Sequence, residues 1–156
     1  MDKKRLACLI IAVVALMSSV GLIGSASAQN KNSLYKRLGG YDAIAAVTDD
    51  FIGRLAADKQ LGRYFVGHST NSLQHIRQLV VDQICAATGG PCVYIGRDMK
   101  SAHQGMGITE EQFNIAAGHL SETLDKFKVP AKEKNELLGA VASFKNDIVE
   151  QKSMMK

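Results

Sequence analysis

Apolar residues recur along this chain in steps of three and four, the signature of helices that each bury one face. Ile44, Val47, Phe51 and Leu55 form one such series, within a helix predicted from about Tyr41 to Ala56. Leu73, Ile76, Val80 and Ile84 form a second, on a helix that Ser72 would cap and that runs to about Thr88. Thr109-Glu110-Glu111-Gln112 reads as a capping box opening a long helix to about Lys128. Pro130 fixes the start of the last helix, whose stripe of Leu137, Leu138, Val141, Phe144 and Ile148 carries it to about Gln151. Shorter helical pieces are predicted over Leu34 to Leu38, Asp58 to Phe65 and Met99 to Gln104, the last capped by Asp98. Gly39-Gly40, Gly89-Gly90-Pro91, Gly105 and Gly107 punctuate the series. No run alternates with the period of two that a half-buried strand needs, and no segment repeats at a fixed period, which excludes solenoids and propellers. The pattern predicts a compact all-α domain.

The first residues follow a different logic. Asp2-Lys3-Lys4-Arg5 is a short basic region, and an apolar run follows from Leu6 to about Ile23. Ala26 and Ala28 then stand in the A-x-A spacing of a signal-peptidase site. Residues 1–28 therefore read as a secretory signal peptide, 29–151 as the working domain and 152–156 as a frayed tail. The alternative is an uncleaved anchor, since the run is almost long enough to span a bilayer. Cys8 is too early for a lipid-attachment site and would leave with the signal. Cleavage implies an exported protein, periplasmic or secreted, that meets a membrane only through an uncleaved signal.

Of the 19 basic residues three precede the cleavage site, and of the 15 acidic residues one does, so the net charge of +4 falls to +2 in the mature chain. The basic balance thus says little about nucleic acid. No basic cluster interleaved with aromatics is present, and no nucleic-acid partner is expected. With 46% hydrophobic and 22% charged residues, the chain has enough apolar surface to offset the entropy of ordering.

Cys85 and Cys92 remain after cleavage, separated by a segment that includes the turn signal Thr88-Gly89-Gly90-Pro91. In an oxidising compartment they either close a small-loop disulfide or stay as two separate thiols. Their spacing is not a usual zinc pair, and no haem-attachment C-x-x-C-H is present. The four histidines are His68, His75, His103 and His119. None forms the H-x-x-x-H pair of zinc hydrolases, and there is neither a phosphate loop nor a nucleophile elbow. One imidazole in apolar surroundings suits haem iron, which needs a strong axial donor and a flat apolar slot. His103 ends a short helix just before glycines, and Phe65, Tyr94, Met99, Ile108 and Phe113 are placed to line such a slot.

The stretch from Leu34 to about Glu150 resembles a truncated haemoglobin of the group I type. The resemblance rests on Leu34-Tyr35-Lys36-Arg37-Leu38-Gly39-Gly40, Tyr64-Phe65, Gly89-Gly90-Pro91, Tyr94-Ile95-Gly96-Arg97-Asp98-Met99 and Ala102-His103-Gln104-Gly105-Met106-Gly107-Ile108, in family order and spacing. It implies a two-over-two helical sandwich, a shortened relative of the globin fold, and non-covalent haem b. His103 matches the proximal iron ligand, with its second nitrogen turned to a carbonyl or water. Phe65 matches the aromatic that packs on the haem, and Tyr94, Met99 and Phe113 fall on the proximal side.

The distal side departs from the pattern. Relatives often carry a Tyr after the Phe of the second helix, and here that position holds Ile52. Counting back from Gly89-Gly90 puts Val80, with Ile76 one turn earlier, where relatives carry a Gln; counting forward from Phe65 lands near Leu73 and Arg77. Gln78, Gln83 and His75 are the polar residues nearby, and His75 is a candidate sixth ligand. A hydrogen bond to the partial negative charge of bound dioxygen contributes about 1.5–3 kcal/mol, so an apolar distal side should release dioxygen about ten to a hundred times faster. Carbon monoxide and nitric oxide depend less on such a donor. The implied function is binding of diatomic gases, in oxygen binding or transport or in nitric oxide detoxification. Nitric oxide dioxygenation would need an electron donor that this chain does not contain. The rival readings are a six-coordinate haem sensor or redox protein using His103 and His75, and a haem-free helical interaction module.

Overall fold

The computed structural model describes residues 32–150, so the signal segment 1–28 and the tail 152–156 lie outside the described residues. Helices α1 (Leu34–Arg37), α2 (Gly40–Ala57), α3 (Thr70–Ala87), α4 (Met99–His103), α5 (Glu110–Lys126), α6 (Ala131–Ala142) and α7 (Lys145–Ile148) follow one another, with a 3-10 turn over Gly62–Phe65 after α2. Helix α2 pairs with α3 and α5 with α6, while α2 also packs across onto α5. The result is two layers of two helices, with α4 and α7 packed together outside them.

Two groups of buried side chains hold the layers. Val47, Leu120, Leu124 and Leu137 join α2, α5 and α6, with Phe51, Leu138 and Val141 packed against them. Ile44, Val81 and Cys85 join α2 to α3. Burial of this kind contributes about 1.5–3 kcal/mol per large apolar side chain and is the main force on the fold. Polar ties add register. Asp50 on α2 accepts from Arg54 at 2.8 Å, from the Thr123 hydroxyl of α5 at 3.0 Å, and from Lys126. Arg37 reaches α6 through Glu133 at 3.0 Å and through Glu136.

Several details differ from the sequence expectation. Ser69, not Ser72, caps α3: its hydroxyl accepts the Ser72 amide at 3.2 Å. Ser69, Thr70, Asn71 and Ser72 are all capping types, so pattern alone does not choose among them. The last helix is not continuous to Gln151. Around Ser143 the Phe144 amide donates to the Val141 carbonyl at 3.1 Å and the Ser143 hydroxyl donates to the Ala140 carbonyl at 2.6 Å, which tightens the turn and lets α7 swing onto α4 and α5. Finally, α3 buries Val81 and Cys85 completely against α2, whereas the predicted stripe of Leu73, Ile76, Val80 and Ile84 is only half-buried. Of that stripe, Ile84 packs against both core groups.

Candidate haem site

Helix α4 exists because Asp98 caps it. The Asp98 carboxylate accepts the Ser101 amide at 2.9 Å and the Ser101 hydroxyl at 2.8 Å, and these bonds hold its pKa below the ordinary value. His103 is the last residue of that helix and is half-buried. Its Nδ1 lies 2.8 Å from the Met99 carbonyl oxygen, one turn back. A carbonyl can only accept, so Nδ1 carries the proton and the neutral ring keeps its lone pair on Nε2. That tautomer is the one a metal-ligating histidine needs, with the partner bond fixing ring direction and raising basicity.

The loop before α4 is locked in the same local way. Tyr94 folds over Gly96 and donates its hydroxyl to the Arg97 carbonyl at 2.6 Å. A Cβ at Gly96 would stand 2.3 Å from the Tyr94 hydroxyl, so only glycine permits this closure. Burial, with the Asp98 charge nearby, pushes the Tyr94 phenol pKa up.

Phe65 is carried by the 3-10 turn after α2. Asp58 holds that corner: it accepts the Gln60 and Leu61 amides at 2.8 and 3.0 Å and pairs with His119 Nε2 of α5 at 3.1 Å. The His119 bond, then the two amides, lowers the Asp58 pKa. Tyr64 donates to Gln112 of α5 at 3.0 Å, a second tie for the same turn. Phe65 and Met99 are half-buried, while Ile108 and Phe113 are buried at the start of α5. Val66 is 80% exposed, Val93 76% and Ile95 79%, large apolar side chains in the connections before α3 and α4.

Helix α3 carries the residues expected on the distal side. Arg77 pairs with Asp49 of α2 through both nitrogens of its fork, one at 2.9 Å, which lowers the Asp49 pKa. Gln78 bonds Tyr41 of α2 at 2.8 Å and Asp82 at 3.0 Å. Both are committed to α2 or to their own helix. Ile76, Val80 and Gln83, at helical spacing of four and three, are half-buried on α3, as Leu73 is. Ile52 is half-buried on α2, one turn beyond Thr48, which is fully buried and whose hydroxyl has no protein partner. His75 stands exposed, about 100° around the helix from Ile76. His68 is exposed too, with Nδ1 3.0 Å from the Ser72 hydroxyl.

Cys85 and Cys92 form a disulfide, with 5.8 Å between their Cα atoms, so the pair rather than two separate thiols is what the fold contains. It joins the end of α3 to the loop leading to Tyr94. A Cβ at Gly90 would lie 2.6 Å from both the Cys85 sulfur and the Tyr35 ring, so the chain passes the bridge only as glycine. The carbonyl that faces the second nitrogen of His103 is that of Met99, while the pairing of Asp49 with Arg77 carries no sequence motif.

Two layers of two helices, with a histidine presented from a short helix beside them, define a globin of the shortened, two-over-two class. The bacterial-like globin family matches residues 33–150. The chain is 40% identical over 116 residues to the group 1 truncated haemoglobin of Mycolicibacterium paratuberculosis, covering 74% of this chain and 83% of that one. It is similar to the truncated haemoglobin of Tetrahymena pyriformis in its Fe(III) form, with a TM-score of 0.71 at 25% identity over 76% of this chain and 99% of the other. It is also similar to the 2/2 haemoglobin of a Synechococcus species, in the cyanomet state with covalently attached haem, with a TM-score of 0.70 at 30% identity over the same shares. This chain belongs to the group 1 truncated haemoglobins, a haem-binding family.

The residues present fit that group. They offer an imidazole whose Nδ1 is bonded to a carbonyl, leaving Nε2 as the donor, and half-buried or buried apolar residues before and after it in the chain.

Proposed function

We propose that this chain binds haem b non-covalently, with His103 Nε2 as the proximal iron ligand, and takes diatomic gases on an apolar distal side. The observation that carries this reading is the 2.8 Å bond from His103 Nδ1 to the Met99 carbonyl. It selects the tautomer and leaves Nε2 as a donor with no competing proton. Haem would supply an iron position open to a diatomic ligand. Phe65, Tyr94, Met99, Ile108 and Phe113 supply apolar contact and exclude water. Ile52, Ile76 and Val80 present only hydrocarbon, and Gln83 is the polar residue of their face. A polar ligand such as dioxygen gains little there relative to carbon monoxide or nitric oxide. The reading is therefore a gas-binding protein suited to nitric oxide chemistry or gas sensing rather than durable oxygen storage, with electrons for any turnover coming from a separate donor. The exposed position of His75 favours a five-coordinate ferrous state over a His103–His75 pair.

Export belongs to the same proposal. Residues 1–28 act as a cleaved signal, and the Cys85–Cys92 disulfide supports an oxidising destination, periplasmic or extracellular.

The test is the absorption spectrum of residues 29–156 purified with haemin, in the ferrous state, with and without carbon monoxide, beside His103→Ala. A Soret band that shifts sharply with carbon monoxide, and loses that response in the variant, is the expected result. No haem uptake, or an unchanged spectrum in the variant, overturns it. Extraction into acidified butanone should remove the haem; pigment retained on the protein would refute non-covalent binding.

A further inference from the structure

Six residues, 104–109, join the end of α4 to the start of α5, and they decide where His103 sits relative to the rest of the site. Gly105 and Gly107 both take left-handed backbone conformations, with φ of 82° and 64°. The Gly105 amide donates to one carboxylate oxygen of Glu150 at 2.5 Å, and the Gly107 amide donates to the other at 2.6 Å. Between them, the Met106 amide donates to the His103 carbonyl at 3.1 Å. The Glu150 amide in turn donates to the Ile108 carbonyl at 3.0 Å. A single residue more than forty positions downstream thus supplies three of the bonds that fix this connection.

Helix α4 has five residues, too few to hold its own direction, since the first turn of any helix costs more than it returns. The Met99 bond fixes the His103 ring relative to α4. Something else must fix the exit of α4 relative to α5, and the two carboxylate bonds are placed to do it. Bonds from backbone amides to an ionised carboxylate are about twice as strong as neutral ones. Glu150 is exposed, so its charge is made available without being buried. It reaches the connection because the chain breaks after Ala142 and α7 packs on α4 and α5.

We propose that Glu150 is a positioning residue for His103: its carboxylate clamps the Gly105 and Gly107 amides and so sets the direction of the His103 imidazole towards the haem. This rests on His103 being the iron ligand. No sequence motif marks the residue, because the clamp joins the far end of the chain to a glycine connection.

The experiment uses the haem-loaded protein and the variants Glu150→Gln and Glu150→Ala, with Lys145→Ala as a control that loosens the α7 contact to Glu110 without removing the clamp. Three readouts are taken: the iron–histidine stretching band of the ferrous ligand-free form by resonance Raman, the amide proton shifts of Gly105 and Gly107 in the diamagnetic carbon monoxide form, and the rate of haem transfer to excess apomyoglobin. In Glu150→Ala the band should shift and broaden, both amide protons should move upfield, and haem should leave about tenfold faster. Glu150→Gln keeps one acceptor and should fall between. Lys145→Ala should alter thermal stability while leaving the band in place. An unchanged band and haem-loss rate in Glu150→Ala, with helical content intact, overturns the clamp. Absence of an iron–histidine band in the parent protein overturns the ligation reading instead.

Discussion

His103 Nδ1 donates to the Met99 carbonyl across one turn of α4, and that bond leaves Nε2 as the one ring nitrogen able to act as an electron-pair donor. His75, the other candidate ligand, is exposed on α3. The two are separable by spectrum. The ferrous protein should be five-coordinate and high-spin, and His75→Ala should leave its spectrum and its carbon monoxide association rate unchanged. A six-coordinate low-spin ferrous spectrum that collapses to five-coordinate in His75→Ala would refute this.

Ile52 is half-buried on α2, and the proposed function places it on the distal side. Ile52→Tyr should restore a donor to the distal side. Dioxygen dissociation, followed by stopped-flow against excess carbon monoxide, should then slow about ten- to a hundredfold. Carbon monoxide dissociation should change much less. Equal slowing of both ligands would point to a steric gate and would sink the hydrogen-bond account.

The helices and the His103 block were legible because each carries its signal locally. Thr109 and Gln112 form the capping box their spacing predicts, with both reciprocal bonds present. The α4 segment is read from Asp98 and the glycines after it. What was not legible depends on other helices. The apolar face of Leu73, Ile76, Val80 and Ile84 is legible from its spacing, yet the fully buried residues of α3 are Val81 and Cys85. Only the partner helix shows which positions packing buries completely. The pairing of Arg77 with Asp49 of α2 is likewise not legible from the pattern of either helix. The end of α5 was misplaced by two residues for a different reason: its terminator is not a glycine.

That terminator is Lys128, the one non-glycine with positive φ among the described residues, at 56°. The Val129 amide bonds the Leu124 carbonyl at 3.0 Å and the Lys128 amide bonds that of Asp125 at 2.9 Å, the paired pattern of a Schellman motif. A side chain in this conformation costs about 1–2 kcal/mol, partly offset by the greater freedom of glycine in the unfolded chain. Lys128→Gly should therefore raise stability by up to about 1 kcal/mol, read from urea unfolding. Destabilisation of that size would show that the lysine side chain does more than occupy the position.

Cys85 is fully buried between α2 and α3, and its bridge to Cys92 closes a short loop with a sequence separation of seven. Closing such a loop restricts the unfolded chain by about 2–3 kcal/mol in the chain-entropy account. Cys92→Ser is the mildest test, because it leaves a small apolar thiol in the buried position. The variant should unfold at lower urea by that amount, and the parent protein should match it once a reductant has opened the bridge. An unchanged midpoint would mean that the bridge carries no stability and serves only to hold the loop before Tyr94.

Asp50 is the acid-sensitive tie between the layers. The Lys126 ammonium and the Arg54 guanidinium beside it hold its carboxyl well below the ordinary 3.8. The unfolded chain, with the ordinary value, takes up its proton first as pH falls. Folding is then opposed by proton binding to the unfolded state, so stability is complete above about 5 and declines as pH drops through 4 and below. Asp49, Asp58, Asp98 and Glu133, also held low by their partners, act with the same sign. Asp50→Asn should lower stability at neutral pH and flatten the acid slope, since one carboxylate no longer differs between the two states. Denaturant midpoints of the carbon monoxide form between pH 3 and 7 supply the comparison. Parallel curves for the two proteins would mean that the Asp50 contacts leave its proton affinity unchanged on folding.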